Sequence, residues 1–379
     1  MATAIYCWLV IATPPLAPPV IEQPAPFQVS YGLVTGRAAR GTLRVVVVAN
    51  GRRLASKPLQ GRRFALRVAL PLGDVTVRVT TLGRAGRRST AHVHDVFGLP
   101  AGSRPRVVPA RLDGTLAREL TPLVRGYAGA AGYYVQSLTG GSGAAWNAKA
   151  RFPAASTVKL AIAATVLAKH AGIPPPESRI DALLREMIVP SDDEAANALL
   201  VWLAGSTSAG GYRVTDFMRS IGLEDTLMYG GYTVRTLSAR IPVRVDDRPA
   251  FGVGKYTSAW DLASLWRALW LASGGKGPLR DAQPGLTPAD ARHLLWLTAH
   301  VRDQPKLDTV VGREQGVRVL HKAGWISTAR HDTGLVFWSG GVFVASVMTW
   351  RASGVSLTSD RLAGRVAAVT LARLRRREG

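Results

Sequence analysis

Polar and apolar positions alternate along the first quarter of the chain in a way that later segments do not repeat. Phe64, Leu66, Val68 and Leu70 alternate with Ala65, Arg67 and Ala69, and Val75, Val77 and Val79 alternate with Thr76, Arg78 and Thr80. A period of two puts one set of side chains on each face of a strand. Thr42 to Ala49 is a β-branched run, and the Asn50-Gly51 that follows is the dipeptide favoured by a type I′ hairpin turn. Gly73-Asp74 and Gly83 to Gly86 supply further turns. Short strands with frequent turns predict a small β-sandwich over residues 25–99. His92 and His94 fall on one face of a strand, with Asp95 next to them. A half-exposed strand face accounts for this pair better than a metal site, and no metal is expected.

Leu99 to Val108 holds Pro100, Gly102 and Pro105 and reads as a linker. Beyond it the period changes to that of helices. Leu112–Gly126, Ser156–His170, Ile180–Val189, Glu194–Leu203, Tyr212–Ile221, Ser258–Leu271 and Pro288–Leu297 read as helices, the second of them apolar nearly all round after Lys159 and therefore buried. Tyr133–Val135 is a strand before this block. Val317–His321, Thr333–Trp338 and Val342–Trp350 are strands after it, and Ser359–Arg376 is a closing amphipathic helix. The order predicts an α+β unit, an antiparallel sheet flanked by helices with a helical subdomain inserted in sequence. The chain divides into a leader-like segment 1–24, the sandwich 25–99, a linker 100–112 and a second domain 113–379.

Net charge is +23, carried mostly by arginine. The arginines are scattered and do not interleave with aromatic residues, so nucleic acid is not expected as a partner. Attraction to an anionic cell wall or membrane surface is a better use of the charge. Cys7 is the single cysteine, which excludes an internal disulfide or a zinc site built of several cysteines. The apolar stretch Ala4 to Thr13 is too short to span a bilayer and resembles the core of a signal peptide without its positive start. Export to the cell envelope is the expectation.

Three stretches carry chemistry. In Phe152-Pro-Ala-Ala-Ser156-Thr-Val-Lys159, serine and lysine three apart share one face of a helix start. A serine hydroxyl needs a base to become a nucleophile, and a lysine serves only when neutral. Burial and a second cation, Lys322, push in that direction. The helix start also offers N–H groups to an oxyanion. In Val189-Pro-Ser191-Asp192-Asp193-Glu194-Ala-Ala-Asn197, Ser191 reads as an N-cap, with Glu194 completing a capping box. That turn presents Ser191 and Asp193 to a cleft. In His321-Lys322-Ala323-Gly324-Trp325-Ile326, a lysine sits in an otherwise apolar strand with small residues after it, so that a substrate backbone can lie along the edge.

Each stretch alone is a weak signal, but their order is specific. S-x-x-K, then S-D-N, then K-T/S-G is the motif set of class A β-lactamases and penicillin-binding proteins, and residues Asp113 to Arg376 resemble that family. Tyr256-Thr-Ser-Ala-Trp-Asp261 resembles the helix start after its Ω loop, and Ala329-Arg-His-Asp332-Thr-Gly the strand after its third motif. Residues 25–99 resemble a bacterial immunoglobulin-like module. The family resemblance implies a serine acyl-transfer hydrolase that needs no cofactor and acts as a monomer on a β-lactam or peptidoglycan-like substrate. It implies Ser156 as nucleophile, Lys159 as base, Ser191 as proton shuttle, and Asp193 in the place of the family's amide. It also implies Lys322, Ala323 and Gly324 along the substrate, and the N–H groups of Ser156 and Trp325 as oxyanion hole.

The sequence departs from the family at four points. Asp193 replaces Asn and is expected to raise the pKa of Lys159, opposing its role as base. Ala323 replaces a hydroxyl residue. The stretch from Lys159 to Ser191 is short, which trims one wall of the cleft. No deacylating glutamate appears between Gly222 and Lys255, where Glu224, Asp225, Asp246 and Asp247 are the acids, and of these Asp246 and Asp247 are the substitute candidates. Slow deacylation is expected.

Overall fold

The structure is a computed structural model that describes residues 15–232, 255–303 and 305–378. The alternating patterns of the N-terminal quarter form strands β1 (Val20–Gln23), β2 (Gln28–Ser30), β3 (Leu33–Arg37), β4 (Thr42–Ala49), β5 (Arg52–Pro58), β6 (Arg63–Arg67), β7 (Gly73–Gly83) and β8 (Arg88–Gly98). They assemble into a three-stranded sheet, β1-β3-β6, and a five-stranded sheet, β2-β8-β7-β4-β5. Val34 and Phe64 of the first sheet share a core with Val47, Val77 and Val79 of the second. Asn50 and Gly51 both have positive φ, 45° and 81°, and connect Ala49 directly to its partner Arg52. Strand β1 falls inside the segment read from sequence as a leader. Val20 to Gln23 pairs with β3, so the ordered fold starts earlier than the alternation suggested.

The remainder is a three-layer unit. Strands β9 (Arg111–Leu112), β10 (Ala130–Ser137), β11 (Ser142–Trp146), β12 (Phe152–Pro153), β13 (Tyr256–Thr257), β14 (Arg318–Ile326), β15 (Ala329–Trp338) and β16 (Gly341–Trp350) complete the set. Six form a sheet of order β14-β15-β16-β10-β11-β9, antiparallel except at the β9–β11 edge, and β12 pairs with β13. The helices are α1 (Gly114–Arg125), α2 (Lys159–His170), α3 (Arg179–Ile188), α4 (Asp193–Ala204), α5 (Thr207–Ser220), α6 (Ala259–Ser273), α7 (Pro278–Ala282), α8 (Pro288–Ala299), α9 (Asp308–Val311) and α10 (Leu357–Glu378). Leu116 and Leu120 of α1 and Val366 and Leu371 of α10 cover one sheet face through Tyr133, Val336 and Phe343. Helices α2, α6 and α8 cover the other through Leu335, Phe337 and Val344. Strand β14, which carries the third motif, is an edge of this sheet, and its residues Leu320 to Gly324 are buried. No described helix is long and apolar enough to cross a membrane.

The linker is packed rather than loose. Ser103 is buried, and its carbonyl accepts from the Trp270 indole at 3.0 Å. The N-terminal sheets also dock on α8. Val29, Phe97 and Leu99 join the same apolar core as α2, α6 and α8. Phe27 meets Trp296 edge to face at 5.2 Å, its carbonyl lies 2.9 Å from His293 Nδ1, and Tyr31 bonds Ser273 at 3.0 Å. Exposed His92 and His94 stack on each other at 6.0 Å, with Thr76 beside His94. The one metal-competent group among the described residues lies elsewhere, at Asp308, His321 and Asp332. There Asp332 already accepts from His321 and from the N–H groups of Leu307 and Thr333.

Candidate active site

The predicted helix over Ser156–His170 begins as a 3-10 turn, Ala155–Val158, and becomes α-helical only at Lys159. Ala155 has φ 47°, an uncommon left-handed conformation for a residue with a Cβ. It is held there from three sides. Tyr232 donates its hydroxyl to the Ala155 carbonyl at 3.1 Å, Ala154 N–H donates to the Lys255 carbonyl at 3.0 Å, and His331 Nε2 donates to the Pro153 carbonyl at 2.7 Å. Burial pushes His331 down to about 4, so its ring stays neutral, and its Nδ1 accepts from Thr349 N–H. Non-glycine residues held in this conformation are a recurring feature of sites. Here the bend leaves Ser156 half-buried while its neighbours are sealed.

Lys159 is fully buried one turn on. Its Nζ donates to the Ser191 carbonyl and to Asp193 Oδ1, each at 2.5 Å. Ser191 is not the N-cap of α4. Asp192 is, accepting from Ala195 N–H at 2.6 Å, and Ser191 stands outside the helix with φ 65°. Serine and aspartate are both good caps, so the sequence does not set the register. The one-residue difference turns the Ser191 carbonyl toward Lys159. Asp193, whose side chain is 46% exposed, opens onto solvent on the other side of that amine.

The pKa of Lys159 lies below that of an ordinary lysine, chiefly through burial, with Asp193 acting the other way. The expectation that Asp193 raises it is therefore right for that pair alone. Desolvation of a sealed ammonium outweighs the carboxylate, which is itself partly wet.

The third stretch arrives on the edge strand β14. Gly324 passes directly against the Ser156 turn, and a Cβ there would sit 2.7 Å from both Ser156 N and Thr157 N. Such an approach needs glycine. Ala323 is buried behind it, and the Trp325 side chain is 65% exposed. Lys322 does not wait for a substrate carboxylate. It is sealed, donates to the Ala323 carbonyl at 3.1 Å, and forms an ion pair with Asp303. Burial lowers its pKa most, Asp303 resists, and the charge of Lys159 adds to the lowering. The structure thus brings Ser156, Lys159, Ser191, Asp193, Lys322 and Gly324 to one locality. Asp246 and Asp247 lie outside the described residues. Asp225 is occupied by Arg151 at 3.2 Å.

Three participants carry no motif signal. Asp303 follows α8 in an unremarkable loop. Lys255 precedes the recognisable Tyr256-Thr-Ser and could have been noticed only by that adjacency. Its Nζ donates to the Gly231 carbonyl at 2.5 Å and lies 4.6 Å from the Tyr232 ring, as does Lys159 Nζ. Burial and the charge of Lys159 lower its pKa, with Asp193 acting the other way. Tyr232 is the third, fixed by a reciprocal pair of bonds between its backbone and the Asn197 side chain, at 2.6 and 2.9 Å.

A model of the β-lactamase enzyme family matches residues 115–172 and 173–374. The chain belongs to the β-lactamase enzyme family. Solved structures of the same fold include PBP-A, at 20% identity and TM-score 0.57, covering 72% of this chain and 100% of that one. An ancestral class A β-lactamase matches at 21% identity and TM-score 0.53, covering 68% and 99%. The β-lactamase of Streptosporangium roseum matches at 18% and 0.55, covering 69% and 99%. A search of curated proteins finds no match. The family assignment accounts for the α+β unit; the N-terminal sheets fall outside the matched residues.

Proposed function

We propose that this member of the β-lactamase family is a serine acyl-transfer hydrolase, acylated on Ser156 by a β-lactam or a cell-wall-peptide-like amide and slow to release the acyl group. The observation that carries the reading is a half-buried hydroxyl on a strained turn, one helical turn from a sealed lysine whose pKa is lowered. A neutral Lys159 takes the Ser156 proton during attack. Ser191 returns a proton to the leaving nitrogen, and the N–H groups of Ser156 and Trp325 hold the oxyanion. Among the solved relatives, a single-substitution mutant of PBP-A is described as an acyl-enzyme complex with penicillin G. The immunoglobulin-like reading of the N-terminal sheets and a cell-envelope setting belong to the same proposal.

A fluorescent penicillin is expected to label the purified chain once, and Ser156→Ala to remove the label. Intact mass followed over time should show an adduct that persists for minutes or longer. Rapid turnover of nitrocefin would overturn the slow-release part. Failure of both penicillins and a fluorophosphonate to label would favour a second reading, a wall-associated binding protein. The Asp303–Lys322 and Asp193–Lys159 pairs favour that second reading, since both amines are already engaged.

Asp193→Asn tests the base. It removes the carboxylate that holds a proton on Lys159 and leaves the burial in place. The pKa of the amine falls further, so the acid limb of the acylation profile moves to lower pH and labelling near pH 6 rises several-fold. Labelling rates between pH 5 and 9 check the sign. An acid limb displaced to higher pH rules out Lys159 as the group that must lose its proton.

A further inference from the structure

Where the N-terminal sheets meet the α+β unit, a cavity of about 730 Å³ opens between β2, β3, the linker, the end of α6 and the start of α8. Its volume is that of a small-ligand site. Arg67, Arg104, Arg106, Lys276 and Arg292 line it, and no aspartate or glutamate does. Arg292 is half-buried and bonded to Gln28 Oε1 at 2.8 Å and to the Ser273 carbonyl at 3.0 Å, both on buried residues. Burial lowers its pKa most, Tyr31 and Asp290 act the other way, and among the described residues no carboxylate forms an ion pair with it. Four other half-buried arginines have a carboxylate partner, whereas Arg267 and Arg280, like Arg292, bond neutral acceptors. Arg151 pairs with Asp225, Arg185 with Asp181, Arg330 with Asp360 and Arg373 with Asp113.

A partly desolvated guanidinium that no carboxylate bonds directly is costly, and the four exposed cations of the lining give the cleft wall a single sign of charge. A concave wall of one sign also focuses its field on whatever enters. The Nε and Nη1 donors of Arg292 are engaged by Gln28 and the Ser273 carbonyl, which orients the guanidinium and leaves its Nη2 donors to meet an oxyanion.

We propose that this interdomain cleft binds an anion bearing two or more phosphate groups, either as a small molecule or as the end of a phosphodiester polymer. The site is separate from the Ser156 locality and does not depend on the acyl-transfer reading.

Titration calorimetry of the full chain with sodium tripolyphosphate at 150 mM salt tests it. One site per chain is expected, with the same affinity in Ser156→Ala. Arg292→Gln and, separately, Lys276→Gln combined with Arg104→Gln should each weaken binding at least tenfold. The second pair is exposed and spares the fold if the first does not. Arg52→Gln combined with Arg53→Gln, which removes equal charge from a distant strand, should change it less than twofold. Equal losses in the cleft and distant pairs, or no saturable binding, overturn the proposal, because the net charge alone would then explain the uptake. Competition by a short glycerol-phosphate polymer, compared at equal phosphate concentration, distinguishes the two sources. A polymer that displaces tripolyphosphate at lower concentration indicates a chain end as the ligand.

Discussion

Lys159→Met is expected to slow acylation of Ser156 by about 10³-fold or more while leaving the fold in place. Removing a positioned general base costs roughly 10²–10⁴-fold. Besides the proposed proton transfer, this lysine ties α2 to the α4 turn through the Ser191 carbonyl and Asp193. Methionine keeps the stem packed among the apolar residues of α2 and removes only the amine. Single-turnover labelling with a fluorescent penicillin gives the rate, and circular dichroism checks the fold. A Lys159→Met variant that labels within about tenfold of wild type would leave Lys255, 4.6 Å from the same tyrosine ring, as the better base.

The second large effect concerns stability. Asp332→Ala is expected to cost about 3–5 kcal/mol, the usual cost of breaking a buried ion pair by removing one partner. Asp332 is sealed and accepts from His321 at 3.0 Å, from Leu307 N–H at 2.9 Å and from Thr333 N–H at 2.9 Å. Alanine leaves three buried donors without an acceptor. Thermal unfolding should shift down by roughly 10 °C. The pair also fixes the pH dependence. The carboxylate beside His321 holds its pKa above the ordinary value, although burial opposes it. That contribution is full below about pH 6.5 and is lost as pH rises through the raised value. Asp332 is held below its ordinary value by His321 against the cost of burial. Its contribution is present above about pH 3.8 and is lost as pH falls through the lowered value. The gap between wild type and Asp332→Ala should therefore be widest from about pH 4 to 6.5 and narrow in alkali. A gap that does not change between pH 5 and 9 would show that the N–H acceptor role, not the ion pair, carries the effect.

Much of this was legible in the sequence, for reasons particular to each residue. Ser156 and Lys159 are three apart, and that spacing alone determines that they share a face. Lys322 and Gly324 were legible as a lone charge in an otherwise apolar strand with small residues after it, and through the order of the three motifs. The β-sandwich and the long helices were legible through sustained periods. The strands β9, β12 and β13 are two residues each, too short for any period to show. The 3-10 start of α2 was missed because its residues read equally well as α-helix. The cap of α4 was misplaced because Ser191, Asp192 and Asp193 can each cap, and only the tertiary pull of Lys159 on the Ser191 carbonyl decides between them. Asp303 and Lys255 reach the site from distant segments, and no local pattern encodes such a meeting. The packing of Phe27 on Trp296 was invisible for the same reason, since each residue alone reads as ordinary core.

That last contact has a mechanical consequence. With Val29, Phe97 and Leu99 sunk into the helical core and Trp270 holding the linker, the N-terminal strands are no tether on which the α+β unit swings. They act as a rigid bracket. Anything grasped by their outer surface is held at a set distance and bearing from Ser156, so a single grip would decide what comes within its reach.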